Sequence, residues 1–248
     1  MQACAYNHHY GRIRVTSVPV PDSPAAGMVL VRVHAASINP ADYKSAAGEQ
    51  AVLLSFSWPR VVGFDFSGVV ESVGDGVEDL HVGDAVFGMI AGLPQAGCGT
   101  CAELVCVHAS VCALKPPAVT HIAAAAVPLV GITAVKAFKS CGLCADSGAR
   151  VLVLGGAGGV GSVAIQLAKS MFGAAFVATT ASAGVKADAC RRLGADLIVD
   201  HRAERFECVL ASDDEEGSSC PFLTVDANSD YTAGGHALRT SAHSTPRG

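Results

Sequence analysis

A strand-like run, a glycine-rich loop and a helix-like run follow one another in this 248-residue chain, and together they constrain its fold most strongly. The run Arg150–Leu154, apolar after its first residue, is typical of a buried strand. Glycine-rich residues 155–161 follow directly, and apolar residues then recur at helical spacing over residues 160–171. A strand, a tight loop and an amphipathic helix in this order predict one β-α-β unit of a parallel sheet.

The same alternation continues along the chain. Residues 175–179 have the pattern of a second buried strand, residues 186–193 that of a helix capped by Gly194, and residues 196–200 that of a third strand. Residues 222–226 carry a further strand pattern. Repeated β-α-β units with short loops predict an α/β fold with a parallel, doubly wound sheet.

The first half of the chain has a different pattern. Short β-type runs, such as residues 28–34 and 68–73, are separated by glycine-rich turns, which predicts a small β barrel. The composition changes after Pro116-Pro117 to alanine-rich segments that favour helices. We therefore predict a β domain over residues 1–118, a parallel-sheet domain over residues 119–228 and a disordered tail over residues 229–248.

Composition and charge restrict the classes of partner. The formal net charge is −5 and the pI is near 5.9, so the chain offers no basic face for the phosphates of a nucleic acid. No apolar run approaches the roughly 20 residues of a membrane-spanning helix, and the first residues lack a signal-peptide pattern. Ten cysteines without such a signal predict reduced thiols and a cytoplasmic location. A small-molecule ligand is therefore the expected partner.

The glycine loop indicates what that ligand is. Gly156, Gly158 and Gly161 have the GxGxxG spacing between a strand and a helix, the context in which this motif binds the pyrophosphate of a dinucleotide. We assign the tight turn to Gly156, close approach of the backbone to the pyrophosphate to Gly158, and helix-to-strand packing to Gly161. The helix N-terminus attracts the negative charge. The alternative interpretation is a glycine-rich turn without a ligand.

The end of the second strand favours NADPH over NADH. In an NAD site an acidic residue about 20 residues after the loop usually binds the ribose 2′-hydroxyl. This chain has Thr179-Thr180-Ala181-Ser182 there, with Lys186 and Arg191 nearby to bind a 2′-phosphate. Lys186 has the alternative interpretation of a solvated lysine on the helix surface.

The chain resembles the medium-chain dehydrogenase/reductase superfamily, and within it the zinc-free quinone-oxidoreductase branch that includes the zeta-crystallin-like proteins. The matching stretches are residues 37–42, 62–70, 82–88 and 127–134, the glycine loop, and residues 193–196 and 200–202. The resemblance implies a GroES-like barrel followed by a Rossmann domain, with the nicotinamide in the cleft between them.

The resemblance also implies residue roles. Thr133 would hold the nicotinamide carboxamide. The cofactor site would include Thr180 and the loop residues Gly156, Ala157, Gly158, Gly159, Val160 and Gly161, whose glycines would hold the pyrophosphate. Ser182, Lys186 and His201 would lie by the adenosine phosphate. Asn39 and Asp42 occupy the substrate-pocket segment, where Tyr43 and Lys44 could polarise a carbonyl. For these four residues a capped turn after a strand is the alternative.

The catalytic zinc ligands of related alcohol dehydrogenases are missing. Asn39 stands where a ligand cysteine would be, Phe64 stands where the histidine of a Gly-His-Glu motif would be, and residues 127–133 contain no cysteine. Cys98 and Cys101 could begin a structural zinc site, but the next cysteines are not spaced as a second pair, which favours small buried thiols. We therefore predict no metal.

Three functional hypotheses follow. The preferred one is an NADPH-dependent reductase that transfers hydride to a quinone or an α,β-unsaturated carbonyl compound. Compared with the family, the chain is truncated at its C-terminus, so its Rossmann domain is expected to be incomplete. The second hypothesis is therefore a non-catalytic relative that binds NADPH or a partner chain. A zinc alcohol dehydrogenase is the third, disfavoured by Asn39 and Phe64. The resemblance leaves a homodimer open.

Overall fold

The computed structural model describes residues 1–8, 11–48, 59–90, 99–212, 223–226 and 238–239. The chain divides into two compact units, Met1–Leu129 and Val130–Gly248. In the first unit the described strands are β1 (Gln2–Tyr6), β2 (Arg14–Ser17), β3 (Met28–Ser37), β4 (Arg60–Val61), β5 (Asp65–Val73), β6 (Ala85–Met89), β7 (Leu104–His108) and β8 (Cys112–Leu114). The α-helices among the described residues of this unit are α1 (Pro40–Ala46) and α2 (His121–Ala125). The prediction of a β-rich first half is therefore confirmed.

The strands described in this unit form two antiparallel sheets. One has the strand order β7-β3-β5-β6-β8 and the other the order β2-β1-β4. Strand β3 continues past the predicted residue 34, because it stays paired with β5 until Ser37 lies opposite Asp65. A Cβ on Gly68 would collide with the carbonyl oxygen of Arg32, so glycine lets the two strands remain in register there. This pairing places the ends of β3 and β5 beside each other.

Helix α2 packs against β3, β5 and β6. Its first residue, His121, makes a 2.8 Å hydrogen bond between Nδ1 and the Oγ of Ser67 on β5, and the Ser67 hydroxyl donates to the Val86 carbonyl at 2.9 Å. The ring of His34 lies 4.6 Å from that of His121. Because α2 packs on these strands, the division between the units lies later than the boundary that the sequence predicts between residues 118 and 119.

The second unit contains the predicted parallel sheet. Its elements are α3 (Pro128–Ser140, beginning two residues before the division), β9 (Arg150–Leu154), α4 (Gly159–Ser170), β10 (Phe176–Thr180), α5 (Val185–Arg192), β11 (Leu197–Val199), α6 (Phe206–Ser212), β12 (Leu223–Asp226) and β13 (Leu238–Arg239). The strand order is β11-β10-β9-β12-β13, with β13 antiparallel and the other pairs parallel. In chain order this is 3-2-1-4, the doubly wound arrangement. The α/β prediction is confirmed.

Both faces of this sheet are covered. Val151 and Val153 of β9 point to one face, where they pack in the same cluster as Ala164 and Ile165 of α4. Leu152, between them in sequence, packs on the other face with Leu210 of α6. The apolar run Val151–Leu154 of β9 is therefore explained, since helices on both sides of the sheet bury the central residues Val151, Leu152 and Val153.

Some predicted segments lie outside the described residues. Residue 222 of the strand predicted at 222–226 is one of them, and so is most of the tail predicted to be disordered, of which Leu238 and Arg239 are described and form β13. Among the described residues, no helix is both long enough and apolar enough to cross a membrane.

Candidate functional site

The loop between β9 and α4 turns at Gly155, whose φ of +74° lies in the left-handed region. The N–H of Gly158 donates to the Gly155 carbonyl at 2.9 Å and closes the turn. From the sequence, the tight turn is assigned to Gly156. Gly156 is the second residue of the turn that this bond closes, and the residue with the left-handed φ is Gly155, directly before it.

Thr180, at the end of β10, holds this loop in place. Its Oγ1 accepts a hydrogen bond from the N–H of Gly155 at 2.8 Å, and its carbonyl accepts one from the N–H of Gly156 at 3.0 Å. Thr180 is buried. Its position supports a role in holding the glycine loop against the neighbouring strand, whereas its place in the sequence predicts a cofactor-binding residue.

The three motif glycines differ in the space around them. A Cβ on Gly156 would collide with Thr179 Oγ1, and a Cβ on Gly161 would collide with the Gly155 carbonyl oxygen. A Cβ on Gly158 would meet only the Gly155 carbonyl oxygen, at 3.2 Å. Packing within the protein therefore requires glycine at 156 and 161, whereas Gly158 faces open space.

Helix α4 begins directly after this open position. Gly158 is its N-cap in an extended conformation, and no side chain caps the helix. Ala157, Gly158 and Gly159 are exposed, while Val160 is half-buried. The first N–H groups of a helix have no partner within it and carry partial positive charge, so this surface can bind an anion.

The loops after β10 and β11 lie at the same edge of the sheet. Ser182 is half-exposed, and Lys186, in the first turn of α5, and His201 are exposed. The Asp200 carboxylate joins the two loops, since Oδ2 accepts from the N–H of Ala183 at 3.3 Å and Oδ1 accepts from the N–H of Arg202 at 3.0 Å. Asp200 is not among the site residues predicted from the sequence. The bond to Arg202, two residues on, is an Asx-turn, whose signal in the sequence is an Asp at the end of a strand.

Thr133, predicted to hold the nicotinamide carboxamide, lies in α3. Its Oγ1 is buried and has no hydrogen-bond partner among the described residues. A threonine inside a helix commonly satisfies its hydroxyl with the carbonyl one turn earlier, and a buried hydroxyl without a partner costs free energy. This hydroxyl is therefore available to an amide group.

The corner between β3 and α1 contains a buried polar network. The Asp42 carboxylate accepts from the N–H of Asn39 at 2.7 Å and from the N–H of Gly63 at 3.0 Å. The Asn39 amide donates to Asp65 Oδ2 at 2.8 Å, and Asp65 Oδ1 accepts from the N–H of Leu129 at 2.9 Å. Asn39 and Asp42 thus fix the start of α1, as in the capped-turn alternative.

Burial controls the electrostatics of this network. It raises the pKa of Asp42 to about 6, with a smaller contribution from the charge of Asp65, while the N–H donors of Asn39 and Gly63 oppose the rise. Burial also raises the pKa of Asp65, against the hydrogen bonds from Ser37, Asn39 and Leu129. The corner therefore holds two carboxyl groups whose ionisation is disfavoured.

The residues predicted to polarise a carbonyl differ in exposure. Tyr43 is 54% exposed and Lys44 is half-buried, both on α1. Asn39 is buried, and its amide already donates to Asp65 and, at 3.3 Å, to Ser37. Of the predicted catalytic residues, Tyr43 and Lys44 are the ones whose exposure suits contact with a substrate.

Potential metal ligands are dispersed in the part of the chain that the structure describes, where no three His, Cys, Asp or Glu side chains form a group that could hold a metal ion. Cys98 lies outside that part. Cys106 and Cys112 lie half-buried on β7 and β8, and burial raises the pKa of the Cys112 thiol to about 12, which disfavours the thiolate that a metal requires.

Comparison with known proteins identifies relatives of both units. Residues 25–119 match the family model of the alcohol dehydrogenase GroES-like domain, so the GroES-like prediction is confirmed. The chain is 42% identical over 214 residues to the 2-methylene-furan-3-one reductase of Solanum lycopersicum, covering 84% of this chain and 54% of the relative. The chain spans about half the length of the curated relatives it matches.

Solved structures resemble the chain across both units. The Escherichia coli quinone oxidoreductase complexed with NADPH is 26% identical with a TM-score of 0.71, covering 86% of this chain and 62% of that one. An NAD-dependent alcohol dehydrogenase is 30% identical with a TM-score of 0.73, covering 86% of this chain and 67% of that one. The GroES-like match, the parallel sheet with its glycine loop and these likenesses agree, and the chain belongs to the medium-chain dehydrogenase/reductase superfamily.

Proposed function

We propose that the chain binds NADPH and is a reductase that transfers hydride to a quinone or an α,β-unsaturated carbonyl compound. The observation that carries this proposal is the loop between β9 and α4, where Gly156 and Gly161 have no room for a Cβ and Gly158 faces open space at a helix N-terminus. The name of the tomato relative supports an enone substrate, and the name of the E. coli neighbour supports a quinone.

The residues present fit such a cofactor. Residues 156–161 would bind the pyrophosphate through the N–H groups at the start of α4. Ser182, Lys186 and His201 would bind the adenosine phosphate, and all three lie on the loops or the first helical turn after β10 and β11. The unpartnered Oγ1 of Thr133 would bind the carboxamide of the nicotinamide.

The choice of NADPH over NADH rests on the carboxylates at this edge of the sheet. Strand β10 ends at Thr180 and not at an acidic residue, so no carboxylate there competes for a ribose 2′-hydroxyl. Asp200 directly follows the next strand, and both of its carboxylate oxygens already accept backbone N–H groups. A 2′-phosphate would therefore meet Ser182 and Lys186.

The bound cofactor supplies the hydride, so the protein needs mainly to orient the substrate and stabilise the charge that develops on its oxygen. We assign this second task to α1, where the Tyr43 hydroxyl and the Lys44 ammonium can each donate a hydrogen bond to a carbonyl oxygen. Asn39 and Asp42 act on the substrate through α1, whose first turn they hold in place.

Metal independence, a cytoplasmic location and a homodimer remain parts of the proposal. The first is supported by Asn39 and Phe64, whose side chains are weak replacements for zinc ligands. The second is supported by the cysteine content of the chain. The third rests on the resemblance to the superfamily, and sedimentation of the purified chain would test it.

Titration of the purified chain with NADPH and with NADH, followed by nucleotide fluorescence, tests the proposal. Addition of 9,10-phenanthrenequinone or a simple alkenal to the same sample then tests for turnover. We expect saturable binding with preference for NADPH, followed by acceptor-dependent oxidation. A folded chain that binds neither nucleotide would refute the proposal, and binding without oxidation of any acceptor would support the non-catalytic alternative.

A further inference from the structure

Asp200 lies where two loops of the second unit meet. It directly follows β11, and β11 pairs in parallel with β10 so that Val199 lies opposite Thr180. The loops after these two strands therefore begin side by side. The N–H of Ala181 donates to the Val199 carbonyl at 3.0 Å and extends the ladder one residue beyond β10.

Beyond that bond, the Asp200 side chain links the loops. One carboxylate oxygen accepts the N–H of Ala183, in the loop after β10, at 3.3 Å. The other accepts the N–H of Arg202, in the loop after β11, at 3.0 Å. The Asp200 carbonyl accepts from Ala203 and from Glu204, each at 2.9 Å, so the second loop folds back tightly around this residue.

The linked loops carry the side chains that a phosphate would contact. Ser182 precedes Ala183, and Lys186 follows it in the first turn of α5. His201 lies between Asp200 and Arg202. Their separation therefore depends on a carboxylate that contacts both loops through the backbone.

We propose that Asp200 is a positioning residue for recognition of the phosphate monoester on the ribose 2′-oxygen. This inference rests on the proposed function and deepens it. Because both oxygens of Asp200 accept backbone N–H groups, the carboxylate fixes the spacing of Ser182, Lys186 and His201. It thereby acts in the opposite sense to the acidic residue of an NAD site, which accepts the ribose hydroxyl itself.

Asp196 provides a matched control on the same strand. It directly precedes β11, and its carboxylate accepts from the N–H of Val177 at 2.7 Å and from Lys169 Nζ at 2.6 Å. Asp196 and Asp200 therefore make comparable bonds at opposite ends of β11. Loss of the Asp196 carboxylate therefore removes bonds at the end of the sheet opposite to the loops that would bind the phosphate.

The test compares Asp200→Ala, Asp200→Asn and Asp196→Ala. Dissociation constants are measured for NADPH and NADH, and for adenosine 2′,5′-bisphosphate and 5′-AMP, which need no nicotinamide site. Loss of hydrogen bonds to a charged acceptor predicts about tenfold weaker binding of NADPH and of the bisphosphate by Asp200→Ala. The affinities of Asp200→Ala for NADH and 5′-AMP should stay close to those of the wild type. The NADPH affinity of Asp200→Asn should lie between those of Asp200→Ala and the wild type. Asp196→Ala should keep the wild-type preference for NADPH over NADH.

Hydrogen exchange of the unliganded proteins gives an independent readout, with faster exchange expected at the Ala183 and Arg202 amides of Asp200→Ala. If both Asp200 variants kept the wild-type preference for NADPH over NADH, the positioning role would be overturned, while the proposal that the chain binds NADPH would stand. Tighter NADPH binding by both variants would also overturn it, because the carboxylate would then act by repulsion. If the wild-type chain bound neither NADPH nor the bisphosphate, the proposed function would fail, and this inference would fail with it.

Discussion

Replacing Gly158 and Gly161 separately with alanine should separate nucleotide binding from stability. In Gly161→Ala the new methyl group would collide with the Gly155 carbonyl oxygen, a backbone atom that cannot rotate away. In Gly158→Ala the nearest atom, the same oxygen, lies at 3.2 Å, and the backbone at φ −81° and ψ 174° suits any residue. The two substitutions add the same methyl group three residues apart.

The expected magnitudes follow from these contacts. Overpacking costs about 1–3 kcal/mol, and a rigid obstacle places Gly161→Ala near the upper end. Alanine regains up to about 1 kcal/mol of helix propensity, which leaves a net loss of about 2 kcal/mol. For a chain of this size that loss lowers the melting temperature by about 4–8 °C. In Gly158→Ala, alanine destabilises the folded state because it is a poorer N-cap than glycine, and it destabilises the unfolded state because it restricts the unfolded chain. Each effect is about 0.5–1 kcal/mol, so the free energy of unfolding should change little.

Nucleotide binding should show the reverse order. A methyl group at 158 occupies the space through which the backbone would approach a pyrophosphate, and we expect at least a tenfold loss of NADPH affinity, or about 1.4 kcal/mol. Thermal unfolding by circular dichroism and titration by NADPH fluorescence measure the two effects. Wild-type NADPH affinity in Gly158→Ala would refute the assigned role of Gly158. Equal melting temperatures in Gly161→Ala and wild type would refute the packing role of Gly161.

Three further predictions concern Thr180, Asp42 and metal. Thr180→Val removes the acceptor of the Gly155 N–H, and it should lower the free energy of unfolding by about 1 kcal/mol and weaken NADPH binding. Thr180→Ser keeps the hydroxyl, so its free energy of unfolding and its NADPH affinity should equal those of the wild type within error. The pKa of Asp42 is raised to about 6 in the folded chain, above its unfolded value of about 4. As the pH falls, the folded state therefore binds the proton before the unfolded state does. This group thus makes the protein more stable as the pH falls from about 7 to about 5. Urea unfolding at both pH values should show a smaller gain on acidification in Asp42→Asn than in wild type, and an equal gain would contradict the assignment. Prolonged treatment with a chelator should leave reductase activity unchanged, and activity that is lost with chelator and restored by zinc would contradict metal independence.

The periodicity of apolar residues predicts those parts of the fold that depend on residues close to one another in the sequence. The run Arg150–Leu154 and the glycines after it predict β9 and the start of α4, because burial on both faces leaves a local pattern. The conformation of Gly155 is not readable in the same way. Two adjacent glycines can each supply a positive φ, and the sequence does not distinguish Gly155, which adopts it, from Gly156.

Contacts between distant residues account for the rest of the candidate site. Asn39 lies beside Asp65 only because β3 and β5 pair up to Ser37 and Asp65, so sequence alone could not show that its amide is engaged. Ala183 and Asp200 are 17 residues apart, and their bond requires β10 and β11 to be neighbours. Pairwise contacts of this kind follow from strand order and register, which periodicity does not specify.

The hydrogen bond between Ser67 and His121 fixes the tautomer of that imidazole. A serine hydroxyl has one hydrogen, and Ser67 gives it to the Val86 carbonyl, so Nδ1 of His121 must carry the proton in their shared bond. Burial, His34 and Lys115 lower the pKa of His121, in that order of importance, which favours the neutral ring. Because the imidazolium also donates from Nδ1, acidification leaves this bond intact, and its cost is that of a partly buried charge together with repulsion from His34 and Lys115. Nitrogen-15 shifts of the ring should therefore report a protonated Nδ1 on both sides of the titration.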